Sequence, residues 1–310
     1  MFKKYFSTLS LLLIGVIASA QTDIDGLMMG KKNLCVGPVF GFSSWKNYWE
    51  GTLKRDNANM GTVSTTSYSI MANYGITERL NVLVGLPYIK TKASEGQLTG
   101  LKGFQDFSVW VKYEAWSREI GKKAVLSAYA VGGVSVPGSN YVVDFLPMSI
   151  GLGTKNLSLR ALLDLEYGKL FATGSATYIL RSNTKLDRTA YYTTEMHYTN
   201  EVKMPDAASC NFRIGYRHNE NIAELVFDNF TTLGGFDISR NNMPFPGNRM
   251  NASRLGAGFK YNTSFVNGLS VVGSAYTTIA GRNMGQAKSF NAGIFYIMDF
   301  TSKKAHEHKM

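Results

Sequence analysis

Cysteine is nearly absent. The 310 residues hold only Cys35 and Cys210, too few for a disulfide framework. Charged residues are sparse at 18%, below the roughly 25% of an ordinary soluble protein. Beyond the first 20 residues no apolar run approaches the roughly 20 that a membrane-spanning helix needs, which excludes a helical membrane protein. What is abundant is glycine (31, against 7 prolines) and aromatic side chains (13%), a composition that excludes a disordered chain.

The first 20 residues read as an address. Lys3 and Lys4 precede an apolar stretch from Leu9 to Ile17, and Ala18-Ser19-Ala20 follows it. A basic head, a short apolar middle and a small-residue cleavage site mark a secretory signal peptide, residues 1–20, exported by the Sec route. The stretch is too short for an anchor, and no cysteine follows the cleavage site as a lipoprotein requires. The chain is basic, with 33 Lys and Arg against 22 Asp and Glu. Loss of the leader takes two lysines and no acids.

The remainder alternates. In Leu157-Ser158-Leu159-Arg160-Ala161-Leu162-Leu163-Asp164-Leu165-Glu166-Tyr167 the odd positions are apolar and most even positions polar. Period two is a strand with one apolar and one wet face. The pattern returns in 210–217 and 254–261. Such segments match the roughly 9–11 residues with which a tilted strand crosses a bilayer. A soluble sandwich also alternates, but here charge is spread over nearly every strand and an export signal is present. Strands in lipid must close on themselves. The expected fold is all-β: a transmembrane, antiparallel, up-and-down β-barrel.

Strands are expected at 33–43, 62–74, 80–91, 103–116, 123–136, 157–167, 170–182, 207–218, 222–231, 253–262, 268–280 and 287–300, twelve in all. Short and long connections then alternate, placing both termini in the periplasm and the long loops outside, as in outer-membrane barrels. Residues 21–32 are expected to form a short periplasmic segment, 33–300 the barrel and 301–310 a periplasmic tail. Met148–Thr154, Gly-rich and after Pro147, is expected to belong to an external loop able to fold inward. A Gly168-Lys169 turn sets Asp164 opposite Thr173 and Arg160 opposite Thr177. A Glu220-Asn221 turn sets Arg217 opposite Glu224 and Arg213 opposite Asp228.

Three stretches resemble a known family. Gly75-Ile76-Thr77-Glu78-Arg79-Leu80-Asn81, continuing to Gly85-Leu86-Pro87-Tyr88, is similar to its glycine-initiated hairpin ending in GLPY. Gly103-Phe104-Gln105-Asp106, continuing to Lys112-Tyr113, and the corner Val136-Pro137-Gly138 resemble two further motifs. The family is the outer-membrane proteins named for the meta-pathway of phenol degradation, distant relatives of the long-chain fatty-acid transporter barrels. Gln105 and Glu78 depart from its usual Gly and Asp, and the likeness covers roughly residues 65–180. It implies a monomeric barrel that moves small, often hydrophobic or aromatic, compounds. In the last strand Phe290, Ala292, Ile294, Tyr296, Met298 and Phe300 share a face. That pattern resembles the signal read by the outer-membrane assembly machinery, with a ten-residue tail after it.

Face by face, the lumen is expected to collect Lys112, Arg160, Arg181, Arg213, Arg217, Arg254 and Lys260 with Asp106, Glu114, Asp164, Glu166, Glu224 and Asp228. Near-balanced charge fits cross-strand bracing of a wet wall better than an ion-selective pore. Ser127, Tyr129, Thr173, Ser175, Ser274 and Tyr276 join the same faces. Twelve strands should leave a narrow passage, and Gly85 and Pro87 are natural kinks for a lateral gap. Lys90, Lys92, Lys102, Lys185, Arg188, Lys203, Arg240, Arg249 and Arg282 fall in external loops, where lipopolysaccharide phosphates rather than nucleic acid are the fitting partner. His197 and His218 lie away from mid-strand serines, against a lipase pair, and His306-Glu307-His308 reads as tail rather than a metal site. Cys35 and Cys210 are expected as free thiols facing lipid. The function expected is a passive channel in the outer membrane of a Gram-negative bacterium, without enzyme activity, metal or cofactor. The alternatives are a surface adhesion or scaffold barrel acting through its external loops and, third, a lipid-modifying enzyme.

Overall fold

The computed structural model describes residues 22–238 and 243–301. The leader, Arg240 and the histidines of the tail therefore lie outside the described residues. Twelve long strands form the wall: β1 (Asn33–Trp45), β2 (Val63–Thr77), β3 (Leu80–Ala93), β4 (Asp106–Ile120), β5 (Ala124–Pro137), β6 (Asn156–Tyr167), β7 (Leu170–Arg181), β8 (Ala207–His218), β9 (Asn221–Thr232), β10 (Asn251–Asn262), β11 (Leu269–Arg282) and β12 (Lys288–Asp299). Each pairs antiparallel with its chain neighbours, and β12 returns to β1. The sheet is a closed barrel, and closure is what removes the unpaired edge that hydrocarbon cannot satisfy. Short turns gather at one end and long loops at the other.

The alternation explains which face points where. Along β6, Leu159 and Leu163 stand outward, 57% and 56% exposed, while Leu162 and Asp164 are buried inside. Exposed leucines around a whole barrel make an apolar band that only lipid can cover. Aromatic side chains border that band. Tyr74, Tyr167, Tyr216 and Tyr261 are exposed near the short turns. Near the long loops, Tyr68 is exposed, and Tyr88 meets Phe104 edge-on with ring centroids 5.4 Å apart. This is the double girdle of an outer-membrane barrel. An arginine at the middle of the band should be costly: Leu163→Arg is expected to destabilise the barrel by about 2–4 kcal/mol, checked by urea unfolding in vesicles.

Turn chemistry sets the register. At Gly168-Lys169 only Gly168 has positive φ (62°), and Asp164 faces Thr173 while Arg160 faces Thr177, as expected. The next short hairpin differs. Asn219 and Glu220 carry φ of 45° and 65°, so they, not Glu220-Asn221, are the two central turn residues; a type I′ turn requires positive φ at both. The pairs slide by two: Gly215 faces Glu224, Arg217 faces Ile222 and Arg213 faces Val226. A slide of two preserves every face, so the charges stay inside but change partners.

Candidate functional site: the barrel interior

All thirteen charged residues expected in the lumen stand on interior-facing rows, but their partners are mostly not those that simple pairing would assign. Arg213 Nη1 reaches diagonally to Glu224 Oε1 at 2.8 Å. Arg217 reaches across β7 to Asp164 and Glu166 on β6 and stacks over the Phe171 ring. Arg254 holds Asp228. Near the short turns, Arg79 lies 3.7 Å from Glu114. Arg181 lies over the Phe230 ring. Asp106 accepts the Tyr141 hydroxyl at 2.6 Å, and that same oxygen accepts the Gly153 N–H. Asp106 thereby ties the 138–155 loop to the wall. The loop does fold inward: Met148 is fully buried, and its carbonyl accepts the Thr91 hydroxyl at 2.7 Å.

Lys112 and Arg160 find their partners in a segment expected elsewhere. Residues 21–32 were to lie in the periplasm; instead Thr22–Met29 runs inside the barrel. Lys112, fully buried on β4, donates from Nζ to the carbonyls of Thr22 (3.2 Å), Asp25 (2.6 Å) and Leu27 (2.7 Å) and to Asp25 Oδ1 (3.1 Å). Arg160 Nη1 donates to Asp23 at its carbonyl (2.8 Å) and Oδ2 (2.6 Å), while Nε bonds Thr177. Its guanidinium also lies over Trp110. Tyr129 donates to the Gly26 carbonyl at 2.8 Å. A side chain at Gly26 would collide with the Asp164 carboxyl, so glycine is what lets the segment press against β6. Asn81, fully buried, sets its carboxamide against the Met29 peptide. The physical reason for the insertion is plain. Among the described ion pairs Lys112 and Arg160 have no carboxylate on the wall, and the segment supplies one to each together with a run of carbonyls.

Burial pushes the Asp25 carboxyl upward. Lys112, the Thr22 and Leu27 N–H groups and Arg213 outweigh that and hold it below the ordinary value of 3.8. A depressed carboxylate stabilises docking above the unperturbed value and loses that contribution as pH falls through the depressed one. Docking is therefore expected to weaken only in acid below 3.8 and, for this group, to stay flat from pH 5 to 8; a conductance titration from pH 7 to 2.5 checks it.

The segment also brings grease inside. Met29, Cys35, Phe295 and Ile297 form a buried cluster with Val39, Met71 and Val272 against it. Cys35 thus faces the interior, not lipid, because the odd positions of β1 point inward; Cys210 is half-buried on the outer face. The clue in the sequence was the loss of alternation in Gly293–Met298, apolar on both faces. Asp23 and Asp25 carried a weaker one, two acids in a stretch without strand pattern.

Gly85 and Pro87 point inward on β3. The β3–β4 ladder is interrupted between the Gly85–Ser108 and Tyr88–Phe104 pairs, where proline has no N–H to give. The Gln105 N–H to the Pro87 carbonyl, 2.9 Å, and the Gly138 N–H to the Gln105 carbonyl bridge the interruption. His197 shares a hydrogen bond with the Thr193 hydroxyl and stacks on Tyr191 in a loop hairpin. His218 ends β8, edge-on to Tyr216.

Space remains on the side away from Lys112 and Arg160. A chamber of about 570 Å³ lies toward the long loops, bounded below by Ile24 and beside it by Ser149 and Ile150. A smaller one of about 170 Å³ lies toward the short turns, between Thr22, Asp25 and the wall at Arg213, Glu224 and Lys260. Tyr276 and Asn291 line both.

A closed transmembrane barrel of the outer-membrane type, polar within and partly filled by its own N-terminal segment, is the class this geometry defines. The crystal structure of an outer membrane channel from Pseudomonas putida F1 is similar to it, with a TM-score of 0.69 at 12% identity over 87% of this chain and 97% of that chain. At that identity the likeness shows the fold. The translocator domain of autotransporter NalP from Neisseria meningitidis follows at TM-score 0.45, 11% identity, 88% of this chain and 90% of that one, too low a score to support an inference. No family model matches the chain, and no curated protein matches its sequence.

Proposed function

We propose that the chain is a passive outer-membrane channel for small molecules. The observation that carries this reading is the pair of interior chambers sharing Tyr276 and Asn291, which mark a route along β11 and β12 past the docked segment. The described charged groups there brace and hydrogen-bond one another. The fold shared with a protein described as an outer membrane channel supports the reading. Purified protein in planar bilayers should show discrete potassium chloride conductance steps. Bilayers that stay silent at high protein load would refute it.

A hydrophobic or aromatic solute is what the resemblance to the meta-pathway proteins implies; it stands on sequence motifs alone, and the hydroxyls and carboxamides of the larger chamber weigh against it. Export by a cleaved leader, insertion guided by the β12 face ending at Phe300, and residence in a Gram-negative outer membrane belong to the same reading. So does binding of lipopolysaccharide. Lys90 sits directly opposite Lys102 on the outer surface, with Lys92 two residues on. Like charges placed face to face repel, and lipid phosphates just above an aromatic girdle would relieve that repulsion. A scaffold role through the loops has less support: Tyr191, Phe236 and Phe245 are packed against one another, leaving Tyr192 and Tyr198 exposed.

A further inference from the structure

We infer that the larger chamber is a binding site for small neutral polyhydroxylated solutes, of the size of a monosaccharide or polyol. This rests on the channel reading for its way in and out, but the chemistry of the wall carries it. The lining mixes a few apolar side chains, Ile24, Ile89 and Ile150, with hydroxyls and carboxamides, among them Ser43, Thr65, Ser67, Gln105 and Ser289. None of these five side chains has a hydrogen-bond partner among the described residues. They are donors and acceptors aimed into a space of about 570 Å³, within the range of small-ligand sites.

Two features narrow the ligand. Asp228 and Arg254 are the charged groups in the lining, and they are spent on each other, so the site has no net charge to offer an ion. Tyr276 presents a ring beside Asn291, whose amide lies 3.3 Å from Ser274 Oγ. Gly41 lies between Ser67 and Asn291 in the pairing across β2, β1 and β12. A side chain there would strike both, so glycine keeps this floor open. A ring face among many neutral hydrogen-bonding groups suits a molecule with hydroxyls around a carbon frame. An apolar solute would strip water from five polar groups and return no hydrogen bonds, which disfavours it.

The test uses the full-length protein with glucose and benzyl alcohol as probes, and the triple variant Thr65→Val, Gln105→Leu, Ser289→Ala. Calorimetry in micelles should show glucose binding in preference to benzyl alcohol. The variant should lose at least about tenfold in glucose affinity, given what neutral hydrogen bonds contribute. Glucose that fails to bind, or binds wild type and variant alike, or benzyl alcohol that binds better, overturns the inference and leaves the channel reading standing. Glucose binding in a protein that never conducts does the reverse. Should the triple variant fail to fold, Gln105→Leu alone supplies the same comparison.

Discussion

Deletion of Thr22–Leu27 should raise single-channel conductance several-fold, and Lys112→Met should approach the same value with the chain intact. In the native barrel the segment leaves only the smaller space of about 170 Å³ beside it, so its removal joins two chambers into one open lumen. Lys112 is the anchor whose loss should matter most. Its ammonium is fully buried and donates to three carbonyls and to the Asp25 carboxylate, with the Tyr129 ring 5.3 Å away. Methionine keeps the length but strands Asp25 without its counter-charge. Breaking a buried pair from one side costs about 3–5 kcal/mol, roughly a hundred- to a few-thousandfold in the docked-to-undocked ratio. Planar-bilayer recordings decide it; unchanged conductance in both variants would mean that the segment does not obstruct the path.

Arg217→Met should destabilise the barrel itself. Asp164 has a side chain only 3% exposed, and Arg217 is its one cationic partner among the described ion pairs; Glu166, at 40%, can turn to solvent. Thr173 gives Asp164 a single hydrogen bond. Without the guanidinium a buried carboxylate is left between β6 and the Gly26 backbone, and the arginine's packing over Phe171 goes too. The expected loss is about 3–5 kcal/mol, read as a lower urea midpoint in micelles. Arg217→Met with Asp164→Asn should recover part of it, since a neutral amide tolerates the same place. If the double variant is no more stable than the single one, charge is not the reason Arg217 matters.

Much of the wall was legible because two-residue periodicity is local. A residue's face follows from its neighbours alone, which is why the twelve strands and the thirteen charged side chains could be assigned before any contact was known. The misplaced turn shows how that reading fails. Glu220-Asn221 and Asn219-Glu220 both preserve every face, so hydrophobic pattern cannot choose between them, and only the left-handed backbone at Asn219 and Glu220 does.

What fills the barrel was not legible in the same way. Thr22–Met29 has no strand pattern, and nothing near it in the chain hints at partners some 85 to 137 residues away. Cys35, expected to face lipid, stands on an inward row of β1, where Met29 arrives from the segment to bury it. The amino-acid sequence alone therefore determined the cylinder: strand number, inside and outside, and which ends turn tightly. The tertiary structure alone decided which charges pair, what occupies the lumen and where space is left. Strand faces are set by backbone geometry between adjacent residues, while lumen contacts come from closure of the ring, which brings together groups that share no local pattern.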